Sequence, residues 1–80
     1  MSELAHIIGK ARDAKRGGWG VQSTGEKLAS ALVLNRPDWI AAMGYTLAEA
    51  IDRVGPEWLA LIATAERTLR DEDEADADAQ

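Results

Sequence analysis

The sequence predicts an all-α protein: a small orthogonal bundle of four to five short helices over residues 1–70, then an acidic C-terminal tail, residues 71–80, expected to be disordered. Three observations lead there. Apolar side chains recur at i, i+3, i+4 and i+7, the spacing of one helix face. Two capping boxes, Ser23-x-x-Glu26 and Thr46-x-x-Glu49, mark helix starts. Gly17-Gly18, Gly44 and Gly55-Pro56 punctuate the periodic segments.

Ser2 caps a first helix running to about Arg16, with Leu4, Ile7, Ile8 and Ala11 on one stripe. Gly17 and Gly18 end it, and "GGWGVQ" reads as a connector from which Trp19 folds back onto the core. Ser23 starts a second helix, about residues 24–34, apolar on Leu28, Ala31, Leu32, Val33 and Leu34 and so buried on several sides at its C-terminal turn. Asn35 closes it. Pro37 opens a short third helix, where its missing N–H is harmless, and Trp39, Ile40 and Met43 point inward. After Gly44 the second capping box begins a fourth helix with an inward stripe of Leu47, Ala50, Ile51 and Val54. The last helix, about residues 56–70, buries Trp58, Leu61, Ile62, Ala65 and Leu69, and Leu59 widens the stripe. Beyond it, close carboxylates repel one another and offer nothing apolar, hence the expectation of disorder.

Composition limits the chemistry. With no cysteine and one histidine there is neither a disulfide nor a set of ligands for structural zinc, so packing alone must hold the fold. Outside Met1 the chain has eight Leu, five Ile, three Val, three Trp, one Met and one Tyr, enough for a core at this size. No apolar run approaches the roughly 20 residues of a membrane span. No basic segment followed by an apolar one reads as a secretory signal, and a cytoplasmic location is expected. The net charge of −5 is unevenly placed: residues 71–80 hold six of fourteen acids and no base, and residues 1–36 carry six bases against three acids.

"GVQSTGEK", residues 20–27, is the stretch most like a motif. Gly20 and Gly25 have the separation of a phosphate-binding loop, but Glu26 stands where its lysine belongs, Lys27 is one place late and Leu28 replaces the magnesium-binding hydroxyl. "TGEK" also matches a zinc-finger linker, without fingers on either side. The stretch is a helix start.

Residues 46–62 resemble a helix-turn-helix. The second helix opens Pro56, Glu57, Trp58, Leu59, Ala60, lacking groups that reach base edges, and its bases Arg67 and Arg70 lie at the far end, so a plain helical hairpin is expected. A better polyanion site is Lys10, Arg12, Lys15 and Arg16 beside Trp19, where bases would hold phosphates and the indole would stack. The opposing reading is a solvated helix end complementing its dipole. A sharper hypothesis joins the patch to the tail, the carboxylates of residues 71–78 folding back over those bases and competing with an acidic partner.

No nucleophile, base and orienting group can be named together: His6 reads as a helix-surface residue, Ser23 and Ser30 lack a nucleophile context, and Glu49, Asp52 and Glu57 are spaced like exposed helix charges. The chain therefore reads as non-enzymatic, without metal or cofactor. Trp58, Leu59 and Ile62, with Trp39, suggest an apolar surface for a protein partner or a homodimer. The expected function is a small protein-binding adaptor or inhibitor, of a kind frequent among accessory proteins of phages and mobile elements. The alternatives are a nucleic-acid-binding regulator using residues 10–19 and an acidic mimic of nucleic acid.

Overall fold

The structure, a computed structural model, describes residues 2–78, and the side chains of residues 2–75. Among these residues it is all-α, with five α-helices: α1 (Glu3–Asp13), α2 (Thr24–Val33), α3 (Pro37–Ala42), α4 (Leu47–Val54) and α5 (Pro56–Asp78).

Local chemistry sets the helix starts. The Ser2 hydroxyl accepts the N–H of Ala5 at 3.1 Å. Both capping boxes form, Ser23 with Glu26 and Thr46 with Glu49, each hydroxyl accepting from the glutamate backbone and each carboxylate accepting from the cap backbone. Pro37 occupies the first turn of α3. The first regular helix ends at Asp13, earlier than the apolar pattern suggests. There the backbone widens into a π-type turn, Ala14–Gly18, which Gly17 closes at φ 100°, a conformation a side chain would strain. A 3-10 turn, Trp19–Val21, leads on toward α2.

Helix α2 is the central element, with Leu28, Ala29, Ser30, Ala31 and Val33 buried. One apolar cluster joins Ile7 and Ala11 of α1 to Val33 of α2 and to Ala65 and Leu69 of α5. A second joins Leu28 and Ala31 of α2 to Ile40 of α3 and Ala50 of α4. A helix between two clusters must be apolar on opposing sides, and this accounts for the continuous apolar run at its C-terminal end.

Two expectations need correction. Leu47 and Ile51 do not point inward: they are 54% and 42% exposed, while Ala50 of the same stripe is fully buried. The small Ala50 belongs to the second cluster, and at about 100° per residue Leu47 and Ile51 lie roughly 60° and 100° around the helix from it. They fall on the rim of the contact.

The last helix is also longer than expected. It continues without a break across residue 70 to Asp78, 23 residues in all, a length of about 35 Å that nearly spans the 39 Å long dimension of the molecule. The helix thus takes in residues 71–78 of the acidic tail, and residues 79 and 80 lie outside the described ones. The extension faces partners on α1 that one-dimensional pattern cannot show.

Candidate interaction surfaces

The basic residues of α1 and the following turn do not act as one open patch. Arg12 donates to Glu72 of α5 through two nitrogens, Nη2 to Oε1 at 2.6 Å and Nε to Oε2 at 3.4 Å. This hydrogen bond, followed by the charge of Glu72, holds the guanidinium pKa above its ordinary value. Lys15 pairs with Asp73 on the next residue of α5. Lys10 lies 3.8 Å from Glu26 on α2. Arg16 is exposed and has no ion pair among the described residues. Arg12, Lys15, Arg16, Leu69, Glu72 and Asp73 line a common cleft of about 300 Å³.

Trp19 is turned away from that surface. Its indole N–H donates to the carbonyl of Lys27 at 2.9 Å and its ring lies 4.8 Å from that of Trp39. Lys27 sits 5.3 Å over Trp19 and Arg36 sits 4.4 Å over Trp39, so two cations flank the aromatic pair. Both rings are half-buried; the arrangement joins the connector to α2 and α3 and leaves no free indole beside the α1 bases.

The apolar candidates are likewise dispersed. Trp58 packs against the α1–α2–α5 cluster, tilted on the His6 ring at 5.7 Å, and its indole N–H donates to Glu3. Ile62 is half-buried in the same cluster. Trp39 belongs to the other cluster, and only Leu59, 38% exposed, presents much surface.

His6 is not merely a surface residue. Its Nε2 is 2.9 Å from Oε2 of Glu26, so it bridges α1, α2 and, through Trp58, α5. The backbone N–H of Ser23 is the main cause that holds the Glu26 carboxyl below the ordinary glutamate range; burial opposes it, and the Ser23 hydroxyl, His6 and the charge of Lys10 add to the lowering. Ser23 is engaged with the Glu26 backbone and Ser30 with Gln22, so neither hydroxyl is poised beside a free base.

One exposed apolar surface involves residues that periodicity assigned to the core. Leu47 lines a groove of about 240 Å³ with Ala31, Leu32, Pro37 and Ile40, and Ile51 follows one turn along α4. The presence of Ala50 at one edge of the stripe was the available signal: a small residue can let two helices close on it, and Leu47 and Ile51 both lie to one side of it around the helix. Val21 is 93% exposed at the tip of the connector. Among the described residues no helix is long and apolar enough to cross a membrane. Comparison of the chain with family models, characterised proteins and solved structures finds no match.

Proposed function

We propose that this protein is a non-catalytic protein-binding module that acts by occupying a partner's surface, as an adaptor or inhibitor does. The observation that carries the reading is the pair Leu47 and Ile51, at i, i+4 on α4, left 54% and 42% exposed beside the groove. Burying the exposed part of each in a partner contributes about half of the roughly 1.5–3 kcal/mol that full burial of such a side chain is worth, enough to seed an interface if polar rim contacts are satisfied. The fold itself makes little use of them.

The test compares wild type with Leu47→Ser/Ile51→Ser as baits in native lysate, with and without nuclease. A protein retained by wild type after nuclease, and lost with the double variant, supports the module and locates its surface. Equal retention by both baits, or retention that nuclease abolishes, overturns it.

A further inference from the structure

Among the described residues, Leu69 is the last of α5 in either apolar cluster. Beyond it Asp71, Asp73, Glu74 and Ala75 are exposed and Glu72 is half-buried, so the extension is fixed to the body by charge rather than by packing. Among the described residues its two ion pairs with the body, Arg12 with Glu72 and Lys15 with Asp73, are solvent-accessible, a class that adds little to stability and weakens with salt. What the pairs do is occupy bases. Without residues 71–80, the rest of the chain carries nine bases and eight acids. Four of those bases, Lys10, Arg12, Lys15 and Arg16, fall within seven residues.

We propose that the face formed by the end of α1 and the following turn, bearing Arg12, Lys15 and Arg16, binds the phosphate backbone of nucleic acid, and that Glu72 and Asp73 are an intramolecular competitor seated on it. The cleft that holds the two carboxylates is the one lined by the three bases. Arg12 already holds a carboxylate through two nitrogens, the fork geometry that equally suits phosphate oxygens. Past Lys15 the surface continues into a groove of about 260 Å³ that Trp39 and Arg36, itself paired with Asp38, also line. Trp19 is stacked inward with its N–H engaged, so the contact reads no bases and is independent of sequence. An incoming polyanion displaces the two carboxylates, which then take up cations from solution. The competitor therefore lowers both the affinity and its salt dependence.

The experiment measures binding to a fluorescent 20-base-pair duplex by anisotropy across a salt series, for wild type and Glu72→Gln/Asp73→Asn. A control, Asp52→Asn/Glu57→Gln, has the same net charge but removes exposed acids elsewhere. Helix content by circular dichroism verifies that each variant is folded. The neutralised variant is expected to bind more tightly than both others, with its log affinity–log salt slope steeper than that of wild type by about 1.8, one phosphate contact being worth about 0.9. Its advantage then shrinks by about tenfold between 50 and 200 mM salt. Adding Lys15→Glu/Arg16→Glu to it is expected to abolish binding.

Equal gain from the control pair, an unchanged slope, binding that survives Lys15→Glu/Arg16→Glu, or no duplex binding by the neutralised variant at 50 mM salt each overturns the proposal. Binding of poly-glutamate in preference to duplex overturns the assignment to nucleic acid.

Discussion

The Ser30 hydroxyl donates to Oε1 of Gln22 at 2.9 Å in the interior, while Nε2 of the same glutamine donates to the carbonyl of Lys10 at 2.7 Å. One amide thus ties the connector to both α1 and α2. No buried side-chain nitrogen or oxygen among the described residues lacks a partner. Removing one member of such a chain is more damaging than removing both polar groups, because the survivor stays desolvated. Ser30→Ala should destabilise the protein by about 1–3 kcal/mol. Gln22→Met/Ser30→Ala should destabilise it by less than the sum of the single changes. Urea midpoints of the four proteins check this, and strict additivity would show that the pair is not coupled.

Acid should unfold the protein through Glu26 in particular. Its folded pKa lies below the ordinary glutamate value of 4.5, so its contribution is present above that value and is lost as pH falls through the folded pKa. Between neutrality and pH 5 this residue adds no pH dependence of its own. In Glu26→Gln the fall of stability below about pH 4.5 should be shallower than in wild type. Thermal midpoints between pH 7 and 3 provide the comparison; parallel curves would mean that Glu26 is not responsible.

Gly55 joins α4 to α5 at φ 88° and ψ 160°, a region essentially restricted to glycine. Nothing lies within 4 Å of where a Cβ would stand, so a substitution meets backbone strain without a clash. Gly55→Ala should cost about 1–3 kcal/mol, measured by denaturant unfolding. Asn35→Gly should be near neutral by comparison, since Asn35 already adopts φ 55° in the left-handed region that glycine enters freely. Equal losses in the two variants would argue against this account.

Leu47 and Ile51 should prove nearly dispensable to the fold despite their chemistry. Leu47→Ser and Ile51→Ser are each expected to change stability by about 0.5 kcal/mol or less, the range of surface substitutions. Leu28→Ala, at a fully buried position of the cluster shared by α2, α3 and α4, should cost about 2–5 kcal/mol. Thermal and urea unfolding of the three variants distinguish rim from core, and a loss at Leu47 or Ile51 approaching that at Leu28 would return them to the core.

Much of the architecture is written locally. Ser2, Ser23 and Thr46 announce helix starts because a side-chain oxygen can satisfy an N–H only a few residues away, and Asn35, Gly44 and Gly55 announce ends because few residues accept positive φ. Which helices exist, and that Leu28, Ala31 and Val33 are core, follows from sequence separation smaller than one or two turns. The basic run at 10–16 and the acidic run after residue 70 are equally plain in sequence, as is the idea that they meet.

The tertiary structure decided the rest, for a consistent reason: helical periodicity gives the direction of an apolar stripe but not the width of the neighbour that covers it. Leu47 and Ile51 share a stripe with Ala50, yet only the spacing of α4 from α2 puts them outside. His6 became a bridge because Glu26 and Trp58, remote in sequence, converge on one face of α1. The acids after Leu69 offer nothing to bury, and their helix is fixed in place by Arg12 and Lys15, about 60 residues earlier in the chain. Charge patterns announce that such segments attract; only the packing of α1 along α5 determines which carboxylate meets which base.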